Sequence, residues 1–305
     1  MRKTVGALYL CAGMFLAGSS VVVGKIVVGE FPVFISQVIT LTIALILIFP
    51  LAWIKEGSVF KMHFEKRDIG LMAMQALTGM FLFRVFLLNG LKYTSAAESG
   101  IITSLGPAVL TILAFWMLKE RVTVKAWIGI LICIFGVLVI NLTGATGNDA
   151  RGMMRYAGNF LVFLAVTGEA LFTVFRKKIS YTDRAVTSTM LIIFFALLMF
   201  LPMAAVESHK FNFVAVTGKS ILPLAVYGVF CTVLAYICWF EGVARTNTSM
   251  AAGFTGVMPV SSVILSAIVL GEQIRWTHIL GTLLVVAGIY TISMRMGEKQ
   301  SDIDA

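Results

Sequence analysis

An all-α integral membrane protein, ten transmembrane helices arranged as two inverted five-helix repeats, is the fold class that the sequence predicts. Three observations predict it. Of the 305 residues, 59% are hydrophobic and only 13% charged, against about 25% charged in a soluble domain. Ten apolar runs approach the roughly 20 residues that a helix needs to cross a hydrocarbon core about 30 Å thick. Finally, the chain matches itself under a shift of 152 residues.

The expected spans, in order, are Ala7 to Gly24, Phe31 to Trp53, Ile69 to Leu88, Ala96 to Leu118, Ala126 to Gly144, Tyr156 to Phe175, Ala185 to Val206, Ser220 to Phe240, Thr246 to Leu270 and Trp276 to Met294. Each is apolar throughout and bounded by charges, prolines or polar turns. Met1-Arg2-Lys3 ahead of the first run resembles a signal peptide. Leu16-Ala17-Gly18-Ser19 is a poor cleavage site, however, and nine spans follow, so the segment reads as an uncleaved helix.

The 152-residue shift aligns Phe81 to Ile140 with Val233 to Ile292 without a gap. It matches Leu82/Leu234, Gly90/Gly242, Thr94/Thr246, Pro107/Pro259, Leu113/Leu265, Glu120/Glu272, Gly129/Gly281 and Gly136/Gly288, and beyond that stretch Lys25/Lys177 and Pro50/Pro202. The units are residues 1–145 and 146–305. Five spans per unit is an odd number, so the second unit enters from the opposite side of the membrane. Inverted repeats with a midplane site between them are an architecture of secondary transporters.

With the termini cytoplasmic, inside segments hold sixteen Lys and Arg and outside segments seven, with Arg84 inside a span. The positive-inside rule therefore places both termini in the cytoplasm, and the cell (inner) membrane is the expected location. The formal charge of +9 is then a topology signal and a set of contacts for lipid headgroups. No nucleic-acid partner is expected.

Several motifs together resemble the EamA-type family of the drug/metabolite transporter superfamily over about residues 5 to 295. They are Gly18-Ser19-Ser20 with Lys25, Gly90-Leu91-Lys92-Tyr93-Thr94-Ser95-Ala96-Ala97, Pro107, Lys119-Glu120-Arg121-Val122-Thr123, and Gly129 with Gly136. The second unit repeats the pattern in Pro259, Gly271-Glu272, Gly281 and Gly288. The resemblance implies a ten-helix exporter or permease, with helices 1 to 4 and 6 to 9 around a central cavity and helices 5 and 10 at the side. Two positions depart from the family pattern: Gln37 stands where an arginine is common, and Ala17 where a tryptophan often precedes Gly-Ser.

Pro107 and Pro259 are expected to kink helices 4 and 9, because each removes a backbone donor and crowds the preceding turn. The kinks serve either as fixed bends or as flexing points. Glycine pairs seven apart, Gly129/Gly136 and Gly281/Gly288, share a helix face and suit close packing. Glu120 and Glu272 stand where they would cap helices 5 and 10, with Thr123 and Thr277 as alternatives. Cys11, Cys133, Cys231 and Cys238 read as reduced core residues. His63, His209 and His278 read as solvated surface groups, and no metal site or cofactor is expected.

An ionisable group inside a span costs about 2.5 to 3.5 kcal/mol on insertion scales and marks a pathway or a partner. At 1.5 Å per residue, Arg84 lies about 24 Å along helix 3, and Glu98 lies about 6 Å below the same outer edge. The two are candidates for an ion pair pinning helices 3 and 4, or for a solute-binding pair lining an outer cavity. Glu169, about 20 Å into helix 6, is the candidate for proton coupling or cation recognition. Gln37, Ser20, Tyr236 and Trp239 are further substrate candidates, and Ser19, Thr103, Ser104, Asn159, Thr173, Thr255 and Ser262 add to the spans' polarity.

The expected function is a secondary transporter, an exporter by family resemblance. It would move a small metabolite, such as an amino acid or related amphiphile, by alternating access, with a proton as the possible coupling ion. The alternative is an integral membrane enzyme acting on a lipid or carrier-linked substrate. Such an enzyme needs clustered acid-base groups or a metal set near an interface, a pattern not evident in the sequence.

Overall fold

The computed structural model describes residues 2–57, 65–119, 122–142, 150–179, 185–212, 218–246 and 248–301, and every regular element among them is helical. In chain order these are α1 (Arg2–Glu30), α2 (Val33–Glu56), α3 (Lys66–Leu91), α4 (Ala96–Met117), α5 (Val124–Leu142), α6 (Ala150–Lys177), α7 (Ala185–Ser208), α8 (218–245), α9 (248–270) and α10 (Trp276–Ser301). Eight are long and apolar enough to cross a membrane, and the apolar stretches Val124–Ile140 of α5 and Val257–Leu270 of α9 are shorter.

Two of these helices contain wide turns that apolar periodicity does not reveal. Ala76–Leu82 in α3 and Tyr227–Leu234 in α8 are π-helical. A π segment is rare and occurs frequently at functional sites. The two occupy matching positions of the 152-residue repeat.

α4 and α9 are each broken. Helix Ala96–Thr103 gives way at Ser104 and Leu105 to Gly106–Met117, and Thr248–Phe254 gives way at Thr255 and Gly256 to Val257–Leu270. Pro107 and Pro259 stand in the first turn of each second segment, where the missing N–H costs nothing. The breaks lie just N-terminal to the prolines, as the clash with the preceding turn requires.

Lipid tails are as apolar as leucine, so helices associate in a membrane through close packing rather than through a hydrophobic force between them. Small residues supply that packing. At the α5/α10 crossing, a Cβ on Gly129 would stand 2.8 Å from the carbonyl oxygen of Gly288, and one on Gly288 would stand 2.7 Å from that of Gly129. Gly136 and Gly281 face each other in the same reciprocal way, at 3.0 and 2.9 Å. α2 packs along α7, α3 on α6 and α8 on α1, so these contacts too exchange under the repeat shift. Leu41, Met72, Met80 and Phe200 fill the core between α2, α3 and α7. Leu131, Phe135, Ile279 and Leu283 point outward, as lipid-facing residues would.

Carboxylates close the helix ends, though not where the sequence places them. Gly271 ends α9 in the left-handed conformation (φ 65°), and the N–H of Glu272 returns to the Ser266 carbonyl. The Glu272 side chain then accepts from the amides of Ala96 and Ala97 at 2.8 and 3.0 Å, capping α4 rather than α10. Glu56 accepts from Val186 and Thr187 at the start of α7, and Glu207 accepts from Phe34 and Ile35 at the start of α2. Each of these caps is supplied across the 1–145/146–305 division. Glu120 lies outside the described residues.

Gly288→Leu is expected to force α5 from α10 and to destabilise the detergent-solubilised protein by about 1 to 3 kcal/mol, read as a lowered melting midpoint. Lys119, the repeat mate of Gly271, adopts φ 54° without being glycine. Lys119→Gly is expected to stabilise by about 1 kcal/mol in the same melt.

Candidate functional site

Two polar clusters lie within the bundle. The first surrounds Arg84, two residues beyond the π segment of α3 and only 5% exposed. Its Nη1 donates to Gln37 Oε1 at 2.6 Å and its Nη2 to Thr232 Oγ1 at 3.0 Å. Both acceptors are held in place. Gln37 Nε2 donates to Ser36 Oγ, which itself donates to the Val33 carbonyl. The Thr232 hydroxyl donates to the carbonyl of Tyr227 five residues back, a spacing that the π turn provides, leaving its lone pairs for Arg84. The guanidinium also lies over the Tyr227 ring, 5.2 Å from its centroid, a geometry in which the ring quadrupole attracts a cation.

Tyr236, half-buried and the repeat mate of Arg84, is within electrostatic range of Arg84, Tyr227 and Glu169. Glu169 is exposed on α6. α2, α3, α6 and α8 thus bring Gln37, Arg84, Glu169 and Tyr236 into one region. Ser20 instead donates to its own helix at Ala17 O, 2.6 Å away. Trp239 stands half-buried on the α8 stretch where Gly13 of α1 approaches its backbone.

The second cluster centres on Glu98. Ser95 is the N-cap of α4 and accepts from the Glu98 amide at 3.1 Å. The carboxylate does not reach Arg84, so the anticipated pair is not formed. Glu98 is bonded instead to Arg155 of α6, with Nη2 2.8 Å from Oε1 and Nε 2.9 Å from Oε2. Asn159 Nδ2 donates at 3.2 Å, Thr94 Oγ1 lies at 3.0 Å, and His278 Nε2 lies 3.8 Å away.

His278 is therefore buried among charges rather than solvated; its Nδ1 accepts from the Arg275 amide at 3.0 Å, which turns Nε2 toward Glu98. Arg155 reaches further, donating to the carbonyl of Ile140 at the end of α5. Lys25 closes α3 by donating to the carbonyls of Leu91 and Thr94. A pocket of about 360 Å³ opens over this cluster, lined by Glu98, Arg155, Glu272, Arg275 and His278 among others.

That Glu98 pairs with Arg155 and not with Arg84, one of the two readings open from the sequence, has a physical origin. Depth along a helix was legible, and Arg84 is only about 10 Å from the end of α3. The azimuth was not, because a π segment rotates everything that follows it. Arg155 was legible as a basic residue at the start of a span. The sequence Ser95-Ala96-Ala97-Glu98 is a capping-box pattern that fixes the backbone around Glu98. Thr232 carried no signal distinguishing it from other intrahelical threonines.

Comparison with known proteins agrees with this architecture. The family model described as "EamA-like transporter family" matches residues 4–142 and 156–294. "Uncharacterized transporter YetK" of Bacillus subtilis (strain 168) is 37% identical over 303 residues, covering 99% of this chain and 90% of that one. "Probable amino-acid metabolite efflux pump" of Salmonella typhimurium is 24% identical over 241 residues, covering 76% and 79%. A solved structure titled "Crystal structure of protein" shares the fold, with a TM-score of 0.67 at 17% identity over 97% of this chain and 98% of that one. A family match to both halves and a relative of this identity over nearly the full length place the chain in the EamA-like transporter family.

Proposed function

We propose that the chain is a secondary transporter with ten membrane spans in two inverted five-helix units, residues 1–145 and 146–305. In this reading it exports a small metabolite, such as an amino acid or related amphiphile, by alternating access, and a proton gradient supplies the driving force. Both termini face the cytoplasm, and the chain lies in the cell (inner) membrane.

One observation carries the reading: contacts between the units are reciprocal. Gly129 meets Gly288 as Gly136 meets Gly281, and Glu56 caps α7 as Glu207 caps α2. Such exchange is what an in-plane pseudo-two-fold axis produces, and it supplies two related conformations with opposite mouths open. The Salmonella relative's printed name supports export and the solute class. Arg84, Gln37, Tyr236 and Glu169 form the solute and coupling site, with Ser20 and Trp239 along the α1 and α8 walls. The breaks ahead of Pro107 and Pro259 are flexing points.

Glu98 closes the outer mouth. It joins α4 to α6 through Arg155 and Asn159 and approaches α10 at His278, while Arg155 reaches α5. The repeat mates of Glu98, Asn159 and His278 are Met250, Ala7 and Ala126. The two mouths therefore differ in chemistry on an otherwise repeated frame.

Purified protein in proteoliposomes is expected to move amino acids in exchange or down a gradient, faster with an imposed pH gradient. Absence of flux across a broad metabolite panel, with the fold intact, would overturn the reading. Glu98→Gln is expected to loosen the outer end by about 1 to 3 kcal/mol and to raise labelling of a cysteine placed at Gln273 by a membrane-impermeant thiol reagent. Unchanged labelling would remove Glu98 from the closure. Pro259→Ala is expected to slow flux severalfold while solute binding stays the same; an unchanged rate would make the break a fixed bend.

A further inference from the structure

Arg84 presents an unbalanced charge. A guanidinium has five N–H donors and no neutral form in a protein. In Arg84 two hydrogen bonds go to uncharged acceptors, Gln37 and Thr232, and the remaining contact is the Tyr227 ring. Among the described residues no carboxylate forms an ion pair with it. Glu98, the acid of similar depth, is committed to Arg155.

A cation 5% exposed in a membrane-spanning helix, with donors to spare and no ion-pair partner among the described residues, is costly unless an anion arrives. The anion that matches the fork of a guanidinium is a carboxylate, held by two parallel hydrogen bonds. A second pole lies nearby. Glu169 is exposed on α6, and Tyr236 is within electrostatic range of both Arg84 and Glu169. A simple anion would bring a second negative charge toward Glu169, whereas a zwitterion offers each pole its complement.

We propose that the solute is a zwitterion whose carboxylate is received by Arg84 and whose ammonium is received by Glu169. This rests on the transporter reading and adds the charge pattern that the site selects. Gln37 and Thr232 hold the guanidinium in place while no solute is bound. The Tyr236 phenol, within electrostatic range of both poles, borders the solute's backbone.

The test is thermal stabilisation of the full-length protein in detergent by the common α-amino acids, each compared with its carboxamide, its decarboxylated amine and its deaminated acid. At least one amino acid is expected to raise the melting midpoint, with all three analogues about tenfold weaker or worse. Arg84→Gln is expected to erase the preference for acid over amide, and Glu169→Gln the preference for amino acid over deaminated acid. Should Arg84→Gln not fold, Arg84→Lys keeps the charge without the fork and is expected to weaken the acid at least severalfold.

Equal stabilisation by acid and amide, no response to any amino acid, or full discrimination in the Arg84 variant would overturn the proposal. Flux of a neutral or purely cationic solute through the wild-type protein, without amino-acid binding, would overturn it while leaving the transporter reading standing. Zwitterion binding with the expected discrimination but without flux would do the reverse.

Discussion

Every backbone donor and acceptor at membrane depth must find a partner without water, and the rest of this structure is arranged around that requirement. Helix interiors meet it unaided, but their first turns do not. Glu56, Glu207 and Glu272 meet it for α7, α2 and α4, each reaching across the division between residues 1–145 and 146–305. Each carboxylate also places negative charge against the positive end of a helix dipole. These helix ends therefore depend on carboxylates supplied from the other half of the sequence.

The same requirement accounts for how polar side chains are distributed. Most hydroxyls in the spans bond back to their own helix, as Ser20 does to Ala17 and Thr103 to Gly100. Such residues add little to a site, since their hydrogen-bonding capacity is already used. Among the described residues, side chains that reach across helices include Arg84 to Gln37 and Thr232, Lys25 to the end of α3, and Arg155 and Asn159 to Glu98. They concentrate where the frame is irregular, beside π turns, broken helices and helix ends. Irregular backbone frees carbonyls and turns side chains toward a neighbour instead of along their own helix.

The two clusters play different physical roles. Around Glu98 charge is balanced, with a carboxylate meeting a guanidinium, an amide and an imidazole, and the result ties four helices at one end. Around Arg84 no carboxylate among the described residues forms an ion pair with the guanidinium, which stands about 10 Å along α3 from its end. A balanced cluster holds elements together, while an unbalanced one retains capacity for a partner from outside.

The sequence by itself determined the helical class, the apolar spans, the 152-residue repeat, the glycine pairs of α5 and α10 and the position of each charge along its helix. All of these depend on composition and on distance along one chain. It also singled out Arg84, Glu98, Glu169, Gln37, Ser20, Tyr236 and Trp239 as candidates, because charged, polar or amphipathic residues inside apolar runs are conspicuous. Only the tertiary structure decided which buried groups meet. Partner choice depends on helix azimuth, and azimuth is reset by the π turns at Ala76–Leu82 and Tyr227–Leu234 and by the breaks in α4 and α9, none of which changes the hydropathy of the run containing it. That is why Glu98 meets Arg155 and not Arg84; Glu272 caps α4 instead of α10, and His278 is buried instead of solvated, because both face residues distant in sequence that packing brings to them.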